Sequence, residues 1–414
     1  MDTKNIVAAI SLSAAVIVLY SLFFAPPPIT KENMAEGNKV EQNSDTPSLD
    51  QKENVAEISR EEALNQSERI NFENESIVGS ISLKGGVIDD LTFKQYNVSL
   101  DSQEKVTLLS PRNSKDGYLI ESGFITSDKN VEIPNSNSIW KVSGNNKLTD
   151  QSPIKISWTN DQGITFEKEI ALDDKYLFSI KQSVINPTDK KYDFYTYGQI
   201  IRNEMPDISN FYILHEGLVA TLDDELIEED YDDIQEKKFS RTAQKGWLGI
   251  GDKYWVTSLI PPREKEFKTT FDYKDKFRAN FVSTEPLELN ENSLIEETLQ
   301  IIVAAKRVDV IDGYAESLNI DKFDLTIDWG FLYFITKPLF FGIDYFFKLL
   351  GNYGLAIIAI TICIRLAFFP LANFSFRSMA KMKALQPEMA RLKELHKDDK
   401  MKLQQAMLAL YQKA

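Results

Sequence analysis

The stretch LAIIAITICIRLAFFPLANF, residues 355–374, is apolar or small at every position through its middle except Arg365, and it holds no Asp or Glu to neutralise that charge. On insertion scales a cation near the centre of a membrane helix costs ~3 kcal/mol. Snorkelling is one account: a long side chain bends toward the headgroups. Arg365 lies ~4 Å past the midpoint of 351–374, so its guanidinium falls several ångströms short of the ~15 Å half-thickness. Snorkelling therefore needs local thinning or water. The alternative, which we favour, is a polar pocket inside the membrane that opens toward the cytoplasm.

A second group of chemically distinctive residues is methionine, with five of the chain's eight falling between Ser375 and Ala414. In SFRSMAKMKALQPEMARLKELHKDDKMKLQQAMLALYQKA the residues Met379, Met382, Leu385, Met389, Leu392 and Leu395 recur at three- and four-residue steps. Leu403, Met407, Leu410 and Tyr411 do the same further on. This predicts two amphipathic helices joined near His396 to Asp399, an antiparallel hairpin over 375–414. Methionine is flexible and polarisable, so Met379, Met382, Met389 and Met407 can accept varied apolar partners. They can equally serve to hold the two helices together.

Metal and acid–base chemistry find little support. Cys363 is the one cysteine, and His215 and His396 are far apart, so disulfide frameworks, cysteine metal sites, zinc clusters and histidine triads are not expected. We expect no catalytic residue, no metal and no cofactor. The run DDELIEEDYDDIQE, 223–236, has nine carboxylates in 14 residues but lacks the spacing of a calcium loop, and reads as a solvated acidic loop.

These groups need elements to position them. Ile6 to Ala25 is a run of 20 uncharged residues, long enough to cross the ~30 Å hydrocarbon core, and bulky Phe23 before three prolines disfavours signal cleavage. This predicts an anchor over 1–25. The second span is expected at 351–374. Between them, 326–350 carries Lys337, Asp344 and Lys348 at i, i+7 and i+11 among many aromatics. That pattern predicts an amphipathic helix at the headgroup boundary, with Trp329, Lys337, Phe340 and Lys348 facing it. A third transmembrane helix is the rival reading.

Charge orients the spans. Residues 375–414 hold nine Lys/Arg against four Asp/Glu, +5 of a total of −15, which leaves −20 for residues 1–374. Basic flanks stay in the cytoplasm, so the acidic bulk lies outside, in a bacterial periplasm. An acidic domain also argues against a nucleic-acid partner.

Residues 26–70 contain no aromatic residue and are dense in polar and charged ones, so they are expected to be a flexible linker. From Ser76 the period becomes two: SIVGSISLKGG alternates before a Gly85–Gly86 turn, and ITFEKEIALDDKYLFSIKQSVINP alternates on both sides of Asp173–Asp174. KGWLGIGDKYWVTSLIPP and LIEETLQIIVAAKR add strand candidates. An all-β sandwich over 71–325 follows.

FDLTIDWGFLYFITKPLF, then GNYGLAIIAITICIRLAFFPL, then SMAKMKALQPEMARLKE resemble, in order and spacing, the YidC-type membrane protein insertases of Gram-negative bacteria. The match is dense from Phe323 to Tyr411 and weaker over the rest. The resemblance implies a multi-domain membrane protein: a periplasmic β-supersandwich, an interfacial helix, transmembrane helices and a cytoplasmic helical hairpin. It also implies a hydrophilic groove in the inner leaflet lined by an arginine at the position of Arg365, into which polar parts of nascent membrane proteins are drawn. The implied role is that of an insertase and chaperone, not an enzyme, with the Sec translocon, the ribosome and membrane lipids as partners. The family carries three further spans after the hairpin, so we expect either that the sequence is a fragment or that a partner supplies them.

The rival from another class is a two-span signalling receptor with a periplasmic sensor domain, which needs no charge in its second span. A carbohydrate enzyme on a β-sandwich is a third option, but no acid and base pair is visible.

Overall fold

A computed structural model describes residues 57–206, 215–330, 332–395 and 400–413. The expected anchor and most of the expected linker lie outside the described residues. Two compact units divide the described chain, with the boundary at Gly330.

The first unit turns the period-two pattern into twenty strands. After a short helix, α1 (Arg60–Leu64), come β1 (Arg69–Glu73), β2 (Ile77–Ser82), β3 (Val87–Asn97), β4 (Lys105–Leu109), β5 (Tyr118–Ile125), β6 (Lys141–Ser143) and β7 (Lys147–Leu148). They continue as β8 (Ile154–Thr159), β9 (Thr165–Leu172), β10 (Leu177–Asn186), β11 (Tyr192–Arg202), β12 (Gly217–Leu222) and β13 (Glu225–Asp230). Helix α2 (Tyr231–Glu236) leads to β14 (Phe239–Ala243), β15 (Gly246–Gly251), β16 (Trp255–Ile260), β17 (Phe267–Tyr273), β18 (Phe277–Ser283), β19 (Leu287–Leu289) and β20 (Ser293–Ala305), and α3 (Val308–Ser317) follows. One sheet has eleven strands, ordered β14-β17-β18-β11-β5-β3-β2-β1-β7 with β19 on β11 and β4 on β3. The other has nine, ordered β13-β12-β15-β16-β20-β10-β9-β8-β6.

Both sheets bury one face against the other. Phe72 of β1 meets Phe178 of β10 edge to face at 5.2 Å, and Phe194 of β11 meets Phe166 of β9 at 5.7 Å. Such pairs add ~1 kcal/mol each beyond simple burial. The β9–β10 hairpin shows how the alternation is used: Leu172↔Phe178, Ile170↔Ile180 and Phe166↔Val184 all point inward. Its tight connection is made by Asp173, whose carboxylate accepts from the backbone N–H of Lys175 and Leu177 at 2.9 and 2.8 Å. Tyr314 of α3 donates its hydroxyl to the same carboxylate at 2.7 Å, which docks that helix on the hairpin.

One pair breaks the pattern. Between the apolar rungs lies Lys168↔Gln182, both buried. The Lys168 ammonium donates to the Gly86 carbonyl at 2.9 Å and sits 4.9 Å from the centre of the Trp140 ring. Burial pulls its amine down from the usual lysine value to about 7.

Two expectations are corrected. The last part of the expected flexible linker is ordered: Ile58 donates to the Asn113 carbonyl at 3.0 Å, and α1 has a capping box between Ser59 and Glu62. Arg60 pairs with Asp90 of β3. One cap and one ion pair fix five residues without any aromatic, so composition gave no sign of them. Replacing Ser59 with alanine is expected to cost about 1 kcal/mol locally, read as roughly fivefold faster hydrogen exchange of α1 amides. Second, the acidic run 223–236 is not a simple loop. It forms β13 and α2, and Ile227, Tyr231 and Ile234 are its buried anchors.

Candidate functional site

The second unit holds α4 (Tyr333–Leu350), α5 (Tyr353–Leu395) and α6 (Lys400–Lys413). Gly351 ends α4 with φ 66°, a left-handed conformation that glycine adopts without strain, and donates its N–H to Phe347 O at 2.7 Å. Asn352 then starts α5, its side-chain oxygen accepting from Leu355 N–H at 3.2 Å. The corner is therefore two residues long, and Phe347 stacks on Tyr353 across it at 4.0 Å and 17°. Gly342 of α4 lies against Ile360 of α5, because a Cβ there would come 2.9 Å from Ile360 Cδ1. These residues sit more than two turns from the corner on either side, so α4 and α5 stay in contact beyond it.

Among the described residues, α5 is the one helix long and apolar enough to cross a membrane. Arg365 lies ~18 Å along it from Tyr353. Its side chain is exposed, and among the described residues it has no hydrogen-bond or ion-pair partner. Thr361, one turn earlier on the same face, is satisfied within the helix by donating to Ile357 O at 2.6 Å. Between Tyr353 and Phe374 the guanidinium is the one charged group. At 100° per residue, Phe368, Ala372 and Met379 fall within ~60° of Arg365, so one face runs from the arginine toward the basic end of α5.

No break separates the expected span from the expected first hairpin helix. They form a single helix, because the residues after Phe374 (Arg377, Met379, Ala380, Lys381, Met382) are strong helix formers and only composition changes there. The two prolines, Pro370 and Pro387, are accommodated inside it.

The methionines divide. Met389 is half-buried with Leu385 and Leu392 on α5, and Met407 is half-buried with Leu403 and Leu410 on α6, the pattern of a seam between the helices. Met379, Met382 and Met401 are exposed. Replacing Met389 with aspartate is expected to place a carboxylate in that seam and speed amide exchange of α6 roughly fivefold or more, whereas Met379→Asp leaves it unchanged.

On α4, Lys337 and Phe340 are half-buried, while Lys348 is exposed and pairs with Asp344 at 2.7 Å. Trp329 does not belong to this helix. Gly330 has φ 69° and Leu332 is non-helical, so α4 starts four residues after the tryptophan. The corner and the Gly342 contact were not anticipated, although Gly-Asn after an aromatic run is a readable stop and start signal.

The family model for the YidC periplasmic domain matches residues 69–341, and that for the 60Kd inner membrane protein matches 345–414. A membrane protein insertase YidC of Pelagibacter ubique is 71% identical over 414 residues, covering 100% of this chain and 74% of that protein. The chain belongs to the YidC membrane protein insertase family. Another YidC, from Rickettsia prowazekii, is 38% identical over 419 residues, covering 99% of this chain and 74% of the relative. Among solved structures, a galactose mutarotase related enzyme from Lactobacillus acidophilus matches with TM-score 0.41 and 11% identity, over 57% of this chain and 97% of that one. At that similarity no chemistry transfers. As a YidC-family chain, it combines the two-sheet domain of that family with a helical portion containing a membrane-spanning candidate.

Proposed function

We propose that this chain inserts nascent membrane proteins into the bacterial inner membrane through a hydrophilic groove in which Arg365 is the attracting group. The observation that carries the reading is a guanidinium on the apolar helix with no protein partner among the described residues. A cation held at such a position is stabilised by water or by an incoming polar group. In this reading, polar ends of a substrate are solvated beside Arg365 while its apolar segment moves into lipid. No bond is made or broken.

The remaining roles follow from placement. Residues 1–25 and 351–374 cross the membrane, the sandwich over 71–325 lies in the periplasm, and 375–414 is cytoplasmic. Exposed Met379, on the Arg365 face, and exposed Met382, about 100° around the helix from Arg365, offer adaptable first contacts to an apolar segment or the ribosome, and Met389 and Met407 hold that surface together. Lys337, Phe340 and Lys348 set α4 at the headgroup level among lipids, with Trp329 just ahead of it. The Sec translocon is the partner for substrates with large translocated parts, and no nucleic acid is bound as substrate.

The test is a photocrosslinker at position 365 in the full chain during translation of a small inner-membrane protein. Adducts with the nascent span are expected. Adducts with lipid alone favour snorkelling and overturn the reading.

A further inference from the structure

Helix α5 has a back as well as a front. Ala356 is fully buried, Ala359 and Ile360 are half-buried, and every residue from 361 to 370 is exposed. The three covered positions form one stripe at i, i+3 and i+4, and α4 meets it where Gly342 lies against Ile360. At 100° per residue Arg365 stands ~140° around the helix from Ile360 and ~180° from Ala356. The arginine therefore projects from the side of α5 opposite the contact with α4.

Two contacts set α5 against α4. One is the corner, where Phe347 stacks on Tyr353 beside the left-handed Gly351. The other is Gly342 with Ile360, ~10 Å further along α5. A helix held at one end can swing and roll about that point, and a second contact two turns on removes that freedom.

The second contact is close because position 342 has no side chain. Glycine inside a helix weakens it, and Gly342 stands mid-helix in α4, where neither a turn nor a positive φ calls for it. A Cβ there would come 2.9 Å from Ile360 Cδ1 and 3.6 Å from Ile360 Cγ1, so the isoleucine fills the space that glycine leaves. Alanine asks only that the terminal methyl of Ile360 turn aside. A leucine has to push the helices apart. Axes of packed helices lie 8–10 Å from one another according to the side chains between them, so a bulky residue displaces α5 by ~2 Å. That is enough to stretch a hydrogen bond of ~2.9 Å beyond its working range, and Arg365 is only five residues past Ile360.

We propose that Gly342 is a positioning residue for insertion: by seating Ile360 it fixes the side of α5 from which Arg365 projects, and α4 serves as the backing of the arginine. This deepens the insertase reading above and rests on it.

The test uses the full chain in membranes with Cys363 replaced by serine and single cysteines at Ala372, within ~20° of Arg365, or at Ala367, ~160° from it. A water-soluble maleimide is expected to label position 372 well ahead of 367. In Gly342→Leu that preference is expected to fall toward one, and insertion, read by protease protection of a translocated tail, to drop about fivefold. Gly342→Ala leaves both nearly unchanged. Adding Ile360→Ala to Gly342→Leu makes room for the leucine and is expected to restore both readouts, which a chain that had merely misfolded would not do. A changed preference with unchanged insertion, reduced insertion with an unchanged preference, or no recovery with Ile360→Ala overturns the proposal. A clear preference that Gly342→Leu leaves untouched overturns it alone, whereas no preference before Gly342 is altered overturns the groove reading together with it.

Discussion

Insertion of a substrate with a charged translocated tail is expected to fall at least tenfold when Arg365 is replaced by alanine. A hydrogen bond to a charged group is worth about 1.5–3 kcal/mol net, and each 1.4 kcal/mol is a factor of ten in rate. The same change removes a cation costing ~3 kcal/mol from the apolar helix, so the variant should be at least as stable in the membrane. Loss of activity with unchanged or raised stability separates a working group from a structural one. Arg365→Lys keeps the charge and should retain most activity. The measurement is protease protection of the translocated tail in vesicles carrying each variant. Equal loss in both variants would show that planar hydrogen-bond geometry, not positive charge, is what the substrate needs. No loss in either would remove Arg365 from the mechanism.

Lys168→Met is expected to stabilise the sandwich at neutral pH. The amine titrates at about 7 when folded and near 10.5 when free, so folding forces it to give up a proton between those values. Stability from this group therefore rises with pH from about 7 to 10.5, and its full penalty is present below pH 7. From the size of that shift the penalty is roughly 5 kcal/mol. Removing the amine leaves the Gly86 carbonyl without its donor, which costs about 1–3 kcal/mol. Methionine fills similar space, so a net gain of about 2–4 kcal/mol is expected at pH 7, turning into a net loss of up to about 2 kcal/mol by pH 10 as the charge penalty fades and the orphaned carbonyl remains. Thermal unfolding of the full chain at both pH values checks this, and a gain independent of pH would point to packing instead of charge.

Where the sequence was legible, a short-range rule was at work. Ile164 to Ile180 announced a hairpin because each inward residue was apolar and Asp173–Asp174 supplied the turn, and β15, β16 and β20 lie where alternation placed them. Arg365 stood out because one charge among twenty apolar letters needs no alignment to notice. What was hidden depended on distant partners. Lys168 reads as an outward lysine until Gly86 and Trp140 are brought to it. Arg202 and Asp252, fifty residues apart, are paired at 2.6 Å. Trp329 was placed one element too late because its aromatic company outweighed the stop signal of Gly330. The division of the methionines into seam and surface could not be read from periodicity, which puts both kinds on similar stripes.

Helix α5 runs 43 residues without interruption, a shaft ~65 Å long. Arg365 sits near one third of its length, and the seam with α6 is at the far end. A sideways load at Met389 or Leu392 acts on a long arm, so it turns the whole shaft, and the guanidinium swings with it. Pro370 and Pro387, which each remove one backbone hydrogen bond, are the two elbows where that torque can be relieved. Whatever grips the hairpin therefore reaches the arginine only through those two elbows.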